Sequence, residues 1–235
     1  MSLLSKLFGK KSSAESNDTT RANTKKDTAQ EDAADDIAPE LKPALEAFKA
    51  GRYDKAIAAA TPYAGRLADA SRLCAMSYSQ TDRYPESFQH WLALFELEPT
   101  AHNAVQLASL SVMCGEVERG EAWLIKSSQI NHETREQSDV TARTNFLSAL
   151  VQRGYLVEAL PHITWMRDAY AILSITDDTF LYLRGVPAFG MFLEKSLPIL
   201  RGSQSREAIA TWYGALKGKL DKDGEAQLAH WVAQL

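Results

Sequence analysis

The sequence predicts an all-α fold made of helix hairpins stacked one on the next, and three observations carry that prediction. Apolar residues recur at helical spacing in short, one-sided segments. Brief polar or glycine-containing breaks separate these segments. A similar turn-plus-helix pattern returns four times before residue 170. A hairpin of two short amphipathic helices cannot bury its own apolar stripe, so each one requires neighbours of the same kind.

The stretch from Asp69 to Thr100 shows the unit best. Apolar residues at helical spacing run from Leu73 to Tyr78, a polar break falls at Thr81-Asp82-Arg83, and a second run extends from Pro85 to Leu97 before Pro99. Pro85 suits a first helical turn, where its missing N–H would have no partner, and Pro99 cannot continue the helix.

Ahead of this unit, residues 1–11 set Leu3, Leu4, Leu7 and Phe8 on one side of a short segment with Lys6, Lys10 and Lys11 nearby. Two such turns read as a frayed terminus, or at most as a weak contact with a membrane surface. From Lys10 to Asp36 there is no Leu, Ile, Val, Met or aromatic residue, so nothing offsets the entropy of ordering the chain. Residues 1–36 are expected to form a flexible tail. Order is expected to begin near Ile37, with Leu41, Leu45 and Phe48 on a first helix, Gly51 at its end, and an alanine-rich second helix resuming at Asp54. A third hairpin runs from His102 to Cys114, turns at Gly115 and continues to Ile130. A fourth runs from Ser138 to Arg153, turns at Gly154 and ends near Ala169.

The turn and second-helix segments GRYDKA (51–56), DRYPES (82–87), GEVERG (115–120) and GYLVEA (154–159) share an order of residue types, a turn residue, an aromatic or apolar residue, then a small one. With Trp91 and Pro99, and with Ala75 and Tyr78 in a first helix, this pattern resembles the tetratricopeptide (TPR) repeat family over residues 37–170. The spacings of 31, 33 and 39 residues between Tyr53, Tyr84, Val117 and Leu156 bracket the family's repeat of about 34. The resemblance implies a right-handed α-solenoid, with Ala56, Ser87, Gly120 and Ala159 at the closest approach of each second helix to its neighbour.

Beyond residue 170 the period is lost, but helical signals persist. Asp177 or Asp178 caps a segment through Tyr182, Pro187 opens one through Leu200, and two amphipathic segments follow, split by Asp221-Lys222-Asp223-Gly224. A stack of repeats leaves an apolar end exposed, so residues 171–235 are read as its helical cap.

Composition narrows the function. A net charge of −4 and no basic stripe after residue 40 speak against a nucleic-acid partner. No apolar run reaches membrane-span length, and the start lacks a secretory pattern, so a cytoplasmic protein is expected. Cys74 and Cys114 each fall in an apolar helical run and read as buried thiols. The five histidines form no close ligand pair, the 221–225 segment lacks the distal glutamate of a calcium loop, and phosphate-binding and nucleophile motifs are missing. No metal or other cofactor and no catalytic residue is therefore expected. The five tryptophans fall on helical apolar faces and read as core.

In the resembled family the first helix of every repeat lines a concave face. Carried onto this chain, the partner-binding positions are Leu41, Leu45 and Phe48, then Arg72, Met76 and Gln80, then Val105, Ser109, Val112 and Met113, and finally Thr144, Ser148 and Gln152. This mixed, rather apolar set suits an amphipathic helix or an extended peptide. Leucines at 41 and 45 speak against the family's carboxylate-gripping mode. The competing structural reading has the C-terminal helices fill the face, making Met76, Val112 and Met113 core.

The expected function is a non-enzymatic protein- or peptide-binding module of adaptor, chaperone or toxin-neutralising (immunity) type. One rival is an enzyme or small-ligand binder with a site between the repeats and the C-terminal helices, using His162, Tyr170, Arg184 or Tyr213. Another is a scaffold tethered to a membrane by residues 1–11.

Overall fold

The computed structural model describes residues 37–235, and the expectations for the tail and for membrane contact through residues 1–11 lie outside the described residues. Among the described residues the chain forms twelve α-helices. A 3-10 turn at Pro39–Leu41 leads into α1 (Lys42–Lys49), followed by α2 (Tyr53–Ala60), α3 (Ala68–Gln80), α4 (Tyr84–Leu97), α5 (Ala101–Met113) and α6 (Val117–Thr134). Then come α7 (Asp139–Arg153), α8 (Leu156–Leu173), α9 (Asp178–Leu183), α10 (Phe189–Ser203), α11 (Arg206–Gly214) and α12 (Lys222–Val232).

Each helix from α1 to α8 packs on the next, which gives sequential, hairpin-like packing consistent with a solenoid-like arrangement. The reversals need a left-handed backbone residue, supplied by Gly51, Gly115 and Gly154 at φ of 68°, 87° and 78°. In the second hairpin Asp82 takes that place at φ 57°, a conformation that few side chains other than Asp and Asn accept. Local capping fixes the starts of later helices: Ser138 accepts the Val140 N–H at 3.2 Å, and Asp177 accepts the Phe180 N–H at 2.8 Å.

The small residues of the recurring pattern lie where one helix presses on another. Ala56, Ser87 and Ala159 are fully buried, and the Ser87 hydroxyl donates to the Ala75 carbonyl at 2.7 Å. Gly120 is the tightest case, because a Cβ there would lie 2.9 Å from the Ala108 carbonyl oxygen and 2.9 Å from Phe146 Cε2.

Buried apolar side chains gather in three clusters along the chain. The first joins α1, α2 and α3 through Leu41, Leu45, Phe48, Ala60 and Leu73. The second joins α3, α4 and α5 through Ala75, Phe88, Trp91, Leu94 and Leu107. The third is the largest and runs without a break from Val105 in α5 to Leu228 in α12. Helix α10 packs on α8, while α11 and α12 pack on α10 and on each other. Val112 lies against Gly120 and belongs to the cluster that holds Ala142 and Phe146 of α7.

Several local expectations are corrected. Helices α6 and α8 each run four residues past their expected ends, and α8 carries Pro161 in its interior, on an exposed face. The Asp221-Lys222-Asp223-Gly224 segment is the cap and first turn of α12 rather than a break between helices. Asp221 accepts the Gly224 N–H at 2.9 Å and also the Thr176 N–H and hydroxyl at 2.8 and 2.6 Å, which ties the α8–α9 loop to α12. Trp91 and Trp212 are core, Trp123 and Trp231 half-buried, but Trp165 is 36% exposed beneath the Arg143 guanidinium. Cys74 is buried as expected, whereas Cys114 is only half-buried.

The Gly120 contact predicts that Gly120→Ala costs about 1–3 kcal/mol through overpacking, despite alanine's better helix propensity. Gly214→Ala, in a helical position with open space around the new methyl, is expected to be neutral or slightly stabilising. Urea unfolding of both variants checks the contrast. The donors from Thr176, then that of Gly224, hold the Asp221 carboxyl below the usual carboxylate range. The stability it contributes is therefore present above the ordinary Asp pKa and is lost as pH falls through the lowered folded value. Asp221→Asn is expected to flatten the acid side of the stability–pH curve, measured by urea unfolding at a series of pH values.

Candidate partner-binding face

Helix α5 defines the face most sharply. Nine of its thirteen residues are buried, and the half-exposed ones that remain are His102, Gln106, Ser109 and Met113. Their spacing of four, three and four residues makes one stripe along an otherwise enclosed helix. Helix α7 lies directly against α5 and buries Ala142, Phe146, Leu147, Ala149 and Leu150, leaving Thr144 half-exposed and Asn145, Ser148 and Gln152 exposed. On α3, Met76 is half-buried and Gln80 is exposed.

The partner-binding positions expected from the sequence therefore divide into two groups. Met76, Gln80, Ser109, Met113, Thr144, Ser148 and Gln152 have accessible surface. Leu41, Leu45, Phe48, Arg72, Val105 and Val112 are buried. Leu41, Leu45 and Phe48 pack with Ala56, Ala60 and Leu73, and Val105 and Val112 belong to the cluster that contains Ala142 and Phe146. On α5 the accessible stripe thus sits about one residue, or 100° of helix, away from the line through Val105 and Val112. Gln106, His102 and Asn145 join the accessible set, and the signal for Gln106 was its polarity in a mostly apolar helix.

Arg72 has a structural role. Its guanidinium pairs with Asp69 one turn earlier and reaches Glu98 Oε2 at 2.6 Å, and the side chain is 6% exposed. The Glu98 carbonyl in turn accepts from Asn103 Nδ2 at 2.8 Å, so the group links α3, the end of α4 and the start of α5. A buried guanidinium is tolerable because both charge partners are in reach. His102 stands beside this group, and burial, together with the Arg72 charge, pushes its imidazole below the usual histidine range.

The residues of the rival site do not converge. The Tyr170 hydroxyl donates to the Pro187 carbonyl at 2.6 Å, the Tyr213 hydroxyl lies 2.7 Å from Ser196 Oγ, and Arg184 stacks on Phe180. His162 is buried between α6 and α7, with Nε2 2.6 Å from Glu121 Oε1 and Nδ1 2.9 Å from Arg143 Nη1. An arginine only donates, so Nδ1 must accept and the proton sits on Nε2, directed at the carboxylate. Burial pulls the Arg143 guanidinium below its usual range, with Glu121 and Asp139 opposing. A shallow, open hollow of about 590 Å³ lies between α8 and α11, where Arg167, Ser205, Glu207, Thr211 and Trp212 contribute to its lining. Among the described residues no group of three or more His, Cys, Asp and Glu side chains could hold a metal ion, and no helix is long and apolar enough to cross a membrane.

The hydrogen-bond arrangement predicts that His162 is the Nε2–H tautomer at neutral pH. A long-range ¹⁵N correlation spectrum should show Nε2 protonated and Nδ1 bare, and Glu121→Gln should perturb the Nε2 signal more than the Nδ1 signal. A scan against protein-family models gives no match to this chain, and a search of curated proteins gives none either.

Proposed function

We infer that this chain is a non-enzymatic interaction module that holds a protein or peptide partner on the face carried by its first helices, α3, α5 and α7. The observation that carries this reading is the single accessible stripe on α5: a helix enclosed on all other sides offers partners only that line of side chains, and the neighbouring α7 has exposed Asn145, Ser148 and Gln152 of its own. In this reading the hairpins are tetratricopeptide-like repeats in a right-handed α-solenoid, and the C-terminal helices cap the stack. The packing of each helix on its successor supports it, as do the small residues at the close approaches. Within the class, the resemblance favours an adaptor, secretion chaperone or toxin-neutralising partner of the bacterial cytoplasm. The net charge of −4 favours protein over nucleic acid as the ligand.

Ser109 and Ser148 are the sites for a test, because both are accessible and neither belongs to a core cluster. A Ser109→Arg, Ser148→Arg double variant is expected to keep the wild-type melting temperature and to lose partner binding by about tenfold or more. The measurement is paired affinity purification with quantified recovery of whatever protein co-purifies near stoichiometry with wild type. Equal recovery by a folded double variant would rule the face out.

A further inference from the structure

The Arg143 guanidinium rests on an acceptor that can itself take up a proton. Among the described residues its one hydrogen bond runs from Nη1 to His162 Nδ1 at 2.9 Å, and its Nε is buried with no hydrogen-bond partner. No carboxylate among the described residues is within ion-pair distance of it: Glu121 and Asp139 act on it only through space, Glu121 being bonded to His162 Nε2 at 2.6 Å and Asp139 to Asn131 at 3.1 Å. Arg143 Cζ lies 4.4 Å from the centroid of the Trp165 ring, and the residue is half-exposed, so the side chain has a way out to water.

The His162 ring is enclosed by three helices. Glu121 meets it from α6, and Arg143 meets it from α7, where the Phe146 ring also stands edge-on at 5.0 Å. The other charged groups on these helices are turned elsewhere: Arg119 of α6 pairs with Glu116, Arg167 of α8 with Asp168, and Glu158 of α8 is exposed. Helix α10, which also packs on α8, has Glu194, Lys195 and Arg201 exposed.

Imidazole is the side chain that changes charge near neutral pH. Because Nε2–H already points at Glu121, the nitrogen open to an incoming proton is Nδ1. Once protonated, Nδ1 is a donor facing the Nη1 donor, and two cations stand within one hydrogen-bond length. The imidazolium keeps the Glu121 carboxylate as its partner. The guanidinium loses its hydrogen bond and retains only the contact with a ring that lies at the surface.

We propose that His162 is a proton-operated latch: proton uptake at Nδ1 expels the Arg143 guanidinium from between α7 and α8 and uncovers the Trp165 ring, while the His162–Glu121 pair stays closed. Acid thus releases the polar tie from α7 to α8 and tightens the one from α6 to α8.

The test is a side-chain NMR titration of the full chain from about pH 8 to about pH 5.5, a range in which carboxylates at their ordinary values stay ionised. It follows the His162 ring nitrogens, the Trp165 indole N–H, and the Arg143 δ protons, which the Trp165 ring current shifts upfield while the guanidinium is stacked. As Nδ1 gains its proton, the upfield shift of the Arg143 δ protons is expected to collapse and the Trp165 signal to move, both with the midpoint of the ring titration and with the chain still folded. In His162→Gln, whose amide oxygen accepts from Arg143 but does not titrate, both signals are expected to stay fixed over the same range. A ring that stays neutral to about pH 5.5, a chain that unfolds before Nδ1 is protonated, or an Arg143 that remains stacked on Trp165 after it is protonated would each overturn the latch. The same pH response in a folded His162→Gln variant would overturn it too, and if that variant does not fold the wild-type titration decides by itself.

Discussion

Everything in this fold depends on how closely a second helix can approach the helices it packs on. Gly120 makes this plain: the space a methyl group would need is already taken by the Ala108 carbonyl and the Phe146 ring. The same position in the other hairpins holds Ala56, Ser87 and Ala159, all without solvent exposure. Close contact there brings backbones near enough for the larger residues on either side to interlock, which is what buries the one-sided helices that could not fold alone. Ser87 shows the limit of the rule, since a hydroxyl fits only because the Ala75 carbonyl accepts its proton at 2.7 Å.

The array does not have the same character throughout. Its first half is divided into two small cores; the Arg72–Glu98 ion pair joins α3 to the end of α4, and edge-on aromatic contacts join α4 to α5, through Trp91 and His102, and α4 to α6, through Phe95 and Trp123. Its second half is one continuous core, in which Tyr170, Phe189, Phe192, Trp212 and Tyr213 form an aromatic chain linking α8, α10 and α11. The helices of residues 171–235 are therefore an integral part of the packing that begins in α5. The bonds from Thr176 to Asp221 fasten the last helix to the loop after α8 and complete that unit.

The accessible stripe on α5 is a consequence of the same packing. Helices on either side bury its apolar majority together with Asn103 and Ser111, whose side chains donate to the Glu98 and Leu107 carbonyls, and what remains accessible is His102, Gln106, Ser109 and Met113. Two charged side chains near it are engaged between helices: Arg72 in the α3–α4 link, and Arg143 over Trp165 and against His162. Those charges hold helices to one another.

Taken alone, the sequence determined the helical class, most helix starts, the four reversals and the small residues at the close approaches. These depend on local chemistry: glycine at a left-handed turn, an acidic or hydroxyl cap, apolar spacing near 3.6 residues. Tertiary structure alone decided which face of each helix is open. Val105 and Val112 sit on the same helix as Ser109, and only the position of Phe146 and Ala142 on α7 turns the valines inward and leaves Gln106 out. Arg72 likewise reads as a surface cation until Asp69 and Glu98 are seen to enclose it. Helical periodicity fixes the angle between two side chains on one helix, but the direction either one faces is set by neighbours that lie tens of residues away in the chain.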